Sequence, residues 1–133
     1  METVRTRQAM LAAMDPFLHE GFYAFVGPQK ADPAALMAQA LAAFRENEGL
    51  SLLLPVETAR AIGAEQILPL RWIELRVCSA LDGVGLTAAV SARLAEHDIA
   101  CNVIAALRHD HVFVPAADAE RALALLQALS KEA

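Results

Sequence analysis

The sequence is poor in the residues and motifs that most often indicate enzyme chemistry. Its only two cysteines, Cys78 and Cys101, form no CxxC pair, and aromatic residues make up 5% of the chain. It contains no GxSxG, P-loop, HExxH or complete GxGxxG motif. The two cysteines predict reduced thiols in a cytoplasmic protein. The missing motifs leave no nucleophile or cofactor site to assign, so we expect a protein that is not an enzyme and needs no cofactor.

The sequence also lacks a basic run and a long apolar run. Lysine and arginine total 11 against 16 acidic residues, which gives a formal net charge of -5. Nucleic acid carries the same sign of charge, so it is not an expected partner. No apolar segment approaches the roughly 18 to 20 residues that cross a bilayer, and the apolar run at residues 9–14 is too short for a signal sequence. We therefore expect no association with a membrane.

The C-terminal half has a clear hydrophobic pattern. Residues 70–77 alternate, so that Ile73 and Leu75 face one way and Trp72 and Glu74 the other, as in a half-buried strand. Residues 84–97 repeat apolar side chains at helical spacing. Strands are then predicted at 99–107 and 111–114, with a turn at 108–110 and a last helix over 115–129. The order is strand, helix, hairpin, helix.

The N-terminal half reads as a related but altered unit. We predict helices at 3–14, from Pro33 to about residue 46, and at 55–63, with strands at 21–27 and 50–54. Residues 50–62 resemble residues 110–123, because each is an apolar strand that runs into proline (Pro55, Pro115) and then an alanine-rich helix. In this alignment the helix at 3–14 and the strand at 21–27 correspond to 84–97 and 99–107. Chance similarity of such junctions is the alternative to a true repeat.

The segments RWIELRV, VGLTAAVSARLAEHDIACNV and HDHVFVP resemble the ACT domain of amino-acid-regulated enzymes. More narrowly, they resemble small bacterial tandem-ACT proteins, which are similar to the amino-acid-sensing CASTOR proteins. The resemblance implies an α+β, ferredoxin-like ACT fold with antiparallel sheets and helices on one face. It implies two ACT-like units, a degenerate one at 1–69 and a second one at 70–133.

The turn between the predicted strand and helix is the candidate binding site. Two glycines, Gly83 and Gly85, let the backbone approach a ligand closely, and the helix N-terminus offers free N–H groups to a carboxylate. Asp82 is placed to take an ammonium group. The simpler alternative is that Ser79 and Asp82 only cap the helix. The resemblance further implies that this turn faces a strand of a neighbouring unit, here residues 102–104. The predicted ligand-binding residues are Ser79, Leu81, Asp82, Gly83, Val84, Gly85, Leu86, Thr87, Asn102, Val103 and Ile104.

Two further interpretations remain open at this point. His109 and His111 share a strand face and could hold a metal ion, although no third ligand is evident nearby. The chain could also be a structural assembly module that binds no ligand. The resemblance favours a regulatory, allosteric protein that binds a small molecule, such as an amino acid. It also favours a homodimer that acts through an unidentified protein partner.

Overall fold

The computed structural model describes residues 2–133. The helices of this part of the chain are α1 (Arg7–Ala12), α2 (Pro33–Met37), α3 (Val56–Ala61), α4 (Leu86–Glu96) and α5 (Ala119–Glu132). The strands are β1 (Pro16–Leu18), β2 (Tyr23–Val26), β3 (Ala42–Glu46), β4 (Gly49–Pro55), β5 (Leu70–Leu75), β6 (Asn102–Ala105) and β7 (Asp110–Pro115). A short 3-10 turn, Ala116–Asp118, leads into α5. The chain forms two compact units, of which unit 1 comprises residues 2–20 and 71–133 and unit 2 comprises residues 21–70.

Unit 1 is a sheet with helices on one face. Its strand order is β1-β5-β7-β6, and the β1/β5 and β6/β7 pairs are antiparallel. The alternation predicted for residues 70–77 is confirmed, because Ile73, Leu75 and Val77 are buried in one core with α1, α4 and α5. The predicted stripe on α4 is also buried, including Val90 and Leu94.

The N-terminal segment completes unit 1. Thr6 caps α1 by accepting a hydrogen bond from the Ala9 N–H, so the helix begins at Arg7, four residues later than predicted. Before the cap, Val4 pairs with Ser79 as a parallel bridge instead of continuing the helix. After α1, the unpredicted strand β1 adds to β5 in the register Phe17 opposite Glu74. Three residues give too short a pattern to indicate a strand in the sequence.

Unit 2 has the strand order β3-β4-β2. Along the chain, α2 lies between β2 and β3, and α3 follows β4. Leu36, Leu52 and Leu54 form its core. The predicted helix from Pro33 to residue 46 is wrong beyond Met37, because Ala42–Glu46 is a strand that pairs with β4 around a two-residue turn at 47–48. The alanines favour a helix locally, but hydrogen bonding to the strongly apolar β4 overrides that preference.

The internal repeat is present with a different alignment. Both β2-α2-β3-β4-α3 and β5-α4-β6-β7-α5 follow the order strand, helix, strand, strand, helix. The junctions at Pro55 and Pro115 correspond as predicted. The predicted correspondence of residues 3–14 with 84–97 is wrong, because α2 occupies the equivalent place. No helix within residues 2–133 combines the length and the apolar character needed to cross a membrane.

Removing side-chain volume from the unit 1 core should destabilise the protein. Leu94 is fully buried on α4 (0% exposed), so Leu94→Ala leaves a cavity and should lower the free energy of unfolding by about 2 to 5 kcal/mol. Urea unfolding followed by the fluorescence of Trp72, the single tryptophan and a unit 1 residue, measures this change. Leu107→Ala is the control, because Leu107 is 67% exposed and its truncation should change stability by no more than about 0.5 kcal/mol. Equal effects of the two variants would contradict the assigned core.

Candidate functional site

A cavity of about 280 Å³ lies in unit 1 at the turn between β5 and α4. Most of the residues predicted from the turn line it, namely Ser79, Leu81, Gly83, Val84, Gly85, Leu86 and Thr87. The structure adds Met10 from α1, Ala80 from the turn, Ala105 from β6 and Asp110 from β7. The cavity therefore has the turn and the start of α4 on one side and the ends of β6 and β7 on another.

The remaining predicted residues lie outside the cavity lining. Asp82 is on the turn, but its carboxylate pairs with the Arg5 guanidinium and its side chain is 79% exposed. Asn102, Val103 and Ile104 lie on β6, where Ala105 is the residue that reaches the cavity. Within unit 1, the structure does not bring these four residues into contact with the cavity lined by the turn.

Asp110 is the acidic residue that the structure places in the cavity, and sequence reasoning assigned it to a turn. Its side chain is 6% exposed, and Oδ2 accepts a hydrogen bond from the Ser79 hydroxyl at 2.9 Å. A buried carboxylate is costly unless it is paired or hydrogen bonded. The sequence did contain a signal, because Asp110 shares a strand face with Val112 and Val114, which are both buried.

The two glycines bring the backbone close to its neighbours. Gly85 is the residue before α4 and has a φ of 113°, in the left-handed region that glycine tolerates. A Cβ at Gly85 would lie 2.8 Å from Cδ of Arg7, and a Cβ at Gly83 would lie 2.9 Å from the Arg5 carbonyl oxygen. No side chain in the described part of the chain caps α4, so the N–H groups of its first turn and the positive end of the helix dipole are available to an anion.

The turn is held by backbone hydrogen bonds from the N-terminal segment. The Val4 N–H donates to the Cys78 carbonyl oxygen at 2.8 Å, and the Ala80 N–H donates to the Val4 carbonyl oxygen at 2.8 Å. Met10 then packs as part of the cavity wall and the core. The cavity therefore has a braced wall that the linear order of the sequence did not indicate.

A second polar group lies on the opposite strand face of unit 1, and we call it the histidine cluster: His19, Glu74, His109 and His111. Glu74 Oε1 accepts a hydrogen bond from His19 Nε2 at 2.7 Å, and His109 Nε2 lies 3.9 Å from Glu74 Oε2. Trp72 Nε1–H donates to His111 Nδ1 at 3.0 Å. That bond requires an acceptor at Nδ1 and therefore indicates a neutral His111.

The titration of this cluster follows from burial and charge. Burial alone would raise the pKa of Glu74, but the hydrogen bond and charge of His19, with the charges of His109 and His111, outweigh it and lower this pKa. Burial lowers the pKa of His111, and the attraction of Glu74 and Asp110 offsets only part of that effect. Both pKa shifts thus favour the forms present at neutral pH, the ionised carboxylate of Glu74 and the neutral imidazole of His111.

The metal site that the sequence left open at His109 and His111 gains no support from the geometry. Within the described residues, no group of three or more histidine, cysteine or acidic side chains is placed to hold a metal ion. Cys78 and Cys101 are free and half-buried. Burial raises the pKa of Cys101, so its reactive thiolate form is disfavoured.

Comparison with protein-family models identifies the fold. One model described as an ACT domain matches residues 4–71, and another matches residues 67–128. The chain belongs to the ACT-domain family. The predicted α+β, ferredoxin-like ACT fold with two ACT domains is therefore confirmed. ACT domains are typical of regulatory proteins that bind small molecules such as amino acids. No curated protein matches the sequence.

Solved structures include similar chains. A Vibrio cholerae protein of unknown function, described as a "possible transport protein", is 40% identical, and the match covers 90% of this chain and 92% of that chain with a TM-score of 0.78. An Agrobacterium tumefaciens protein is 19% identical over 86% of this chain and 87% of its own, with a TM-score of 0.65. The ligand-free regulatory subunit of aspartate kinase from Thermus thermophilus is 12% identical over 88% of this chain and 97% of its own, with a TM-score of 0.64. The last two similarities establish the fold alone.

The histidine cluster should make the protein less stable in acid. A lowered folded-state pKa means that the stabilisation is complete above the unfolded-state pKa and is lost as the pH falls through the folded value. The loss should begin below about pH 6.5 for His111 and below about pH 4.5 for Glu74. His111→Gln keeps an acceptor for Trp72 and removes the titration, so its melting temperature should fall less than that of the wild type between pH 7 and 5.5.

The matched control for this measurement is His97→Gln. His97 is exposed at the end of α4, outside the cluster. Thermal melts at half-unit pH steps should give parallel curves for this variant and the wild type. A His111→Gln curve that also parallels the wild type would show that the cluster does not control acid stability.

Proposed function

We propose that this protein is a non-enzymatic regulatory protein whose unit 1 cavity binds an amino acid. One observation carries the proposal: a buried carboxylate, Asp110, lines a glycine-walled cavity at the uncapped N-terminus of α4. These are the two complementary groups that an amino-acid zwitterion needs. Asp110 attracts the ammonium group, and the N–H groups of the first helical turn attract the carboxylate. Ser79, Leu81, Gly83, Val84, Gly85, Leu86 and Thr87 complete the site.

The ACT family supports the same assignment, since ACT domains are typical of proteins that are regulated by binding small molecules such as amino acids. The quoted motifs further favour a bacterial sensor of the CASTOR type that works in the cytoplasm. No step of this function requires a cofactor or a reaction of the ligand. The response to binding passes to a protein partner, which the site chemistry does not identify.

A homodimer through β6 would bring one more of the predicted residues, Val103, to the site. Within residues 2–133, β6 ends the strand order, and it pairs with β7 alone. Symmetric antiparallel pairing of two β6 strands about Ile104 sets Ala105 against the partner subunit's Val103. Because Ala105 lines the cavity, the partner subunit's Val103 would then lie at its rim and add apolar surface, whereas Asn102 and Ile104 face the other side of the sheet.

A ligand-free assembly module is the second candidate function, and the surface of unit 2 favours it. Phe44 on β3 is 72% exposed and lines a shallow hollow of about 590 Å³ with Met37 and Leu50. Large exposed apolar side chains that lie together often mark a protein interface. A ligand screen separates the two candidates, since only the first requires a saturable small-molecule ligand.

The Asp110 assignment predicts a loss of binding when the charge is removed. A thermal-shift screen against the twenty amino acids should find a saturable shift, which at a concentration about 100 times Kd corresponds to roughly 2.7 kcal/mol. Asp110→Asn keeps the shape and an acceptor for Ser79, so it should fold and yet raise Kd about 10- to 100-fold in calorimetry. Asp82→Ala tests the turn carboxylate: its effect should be smaller, since Asp82 pairs with Arg5.

Three results of this experiment would count against the proposal. A screen without a shift from any amino acid would favour the assembly module. Unchanged affinity in Asp110→Asn would remove Asp110 from the site, and a larger loss in Asp82→Ala would return that role to the turn.

The dimer predicts a shift to monomers when the β6 edge is charged. Lysine on an edge strand opposes pairing with a second strand, so Ile104→Lys should reduce the mass measured by light scattering after size-exclusion chromatography from dimer to monomer. Gln127→Lys adds the same charge at an exposed position of α5 and should leave the mass unchanged. A wild-type monomer at all concentrations, or a dimer that Ile104→Lys leaves intact, would refute pairing through β6.

A further inference from the structure

The cavity of unit 1 has walls that carry a single ionisable group. Among the described residues that line it, Asp110 is the one ionisable side chain, and the others are apolar, hydroxyl-bearing or glycine. Two basic residues neighbour the wall glycines without lining the cavity. Arg5 pairs with Asp82, and Arg7, whose stem passes Gly85, lines a separate cavity beside the Arg93–Glu132 ion pair.

The charges of a bound amino acid must be matched inside such a cavity. The ammonium group takes Asp110 as its counter-charge, and the carboxylate takes the N–H groups at the start of α4. A ligand with an ionised side chain brings one more charge, for which the walls provide no partner. A ligand side chain that packs against the buried wall residues Met10 and Leu86 loses its water, and an unpaired charge there is strongly unfavourable, so this part of the wall opposes acidic and basic side chains.

The rest of the wall is suited to an apolar side chain. Met10 and Leu86 are buried residues that present thioether and methyl surface to the cavity, next to Leu81 and Ala105. Apolar contact is non-directional, and methionine adapts to the shape of its neighbour. A hydrocarbon side chain would displace water from these walls without leaving a polar group unsatisfied.

We infer that the cavity selects amino acids with an uncharged, apolar side chain and excludes those with a basic or acidic one. The inference rests on the proposed function, since it names the ligand class of that same site. Leu81 is the position at which this selectivity can be altered, because it lines the cavity and is largely exposed, so that a polar replacement does not disturb the core.

Matched ligand pairs test the inference. Norleucine and lysine share a six-carbon chain and differ in the terminal ammonium group, and norvaline and glutamate share a five-carbon chain and differ in the terminal carboxylate. Calorimetry on the full chain at pH 7 should give Kd values at least tenfold lower for norleucine than for lysine, and for norvaline than for glutamate. Leu81→Asp supplies a second carboxylate and should shift the lysine-to-norleucine affinity ratio at least tenfold toward lysine. Leu81→Asn, of the same size and without charge, should not.

The outcomes separate this inference from the proposed function. Lysine or glutamate binding as tightly as its uncharged partner would overturn the inference and leave an amino-acid sensor in place. Tight lysine binding that Asp110→Asn weakens by a larger factor than it weakens norleucine binding would further show that Asp110 pairs with the side chain of the ligand. If none of the four compounds and none of the twenty amino acids binds, the proposed function fails and the inference fails with it.

Discussion

The two-residue period of β7 is the constraint on which the polar organisation of unit 1 depends. Successive side chains of a strand point to opposite faces, so Asp110 is directed to the helical side while His109 and His111 are directed away from it. One short run, His109-Asp110-His111, therefore supplies the buried carboxylate of the cavity and two members of the histidine cluster. A register shift of one residue would bury the histidines and expose the carboxylate.

The two faces of β7 are also linked through the end of β5. His109 Nδ1–H donates to the Val77 carbonyl oxygen at 3.3 Å, and Ser79, two residues later, donates to Asp110. Residues 77–79 are thus hydrogen bonded to His109 and to Asp110, whose side chains lie on opposite faces of the sheet. Side-chain and backbone groups are satisfied together, which explains how an acidic residue is accommodated beside the core without an ion pair to a basic one.

The sequence was sufficient for features that depend on local periodicity. The buried faces of β5 and α4 and the glycine turn between them follow from side-chain spacing over fewer than fifteen residues. The motifs that resemble ACT domains lie in this same stretch, which is why the fold was predicted there. The strand Ala42–Glu46 was mistaken for a helix because its alanines carry a local preference that pairing with a distant strand reverses.

The cavity was predicted only in part, for a related reason. The turn provides glycines and N–H groups that can be identified from the sequence, but Met10, Ala105 and Asp110 reach it from other elements. The sequence alone does not distinguish the carboxylates of Asp82 and Asp110 as candidate ligand-binding groups. Their different roles arise from neighbours far along the chain, since Arg5 pairs with Asp82 and the Ser79 hydroxyl bonds to Asp110.

The bridge between Val4 and Ser79 has a consequence for the order of folding. It joins residues 75 positions apart, and the entropy lost on closing such a loop must be overcome before either hydrogen bond to Val4 can form. The hairpin of β6 and β7 and the helix α4 involve short separations and can form early. We therefore expect the wall that Val4 braces to be among the last parts of unit 1 to assemble, so that the cavity is complete only after the first residues have returned to meet the turn.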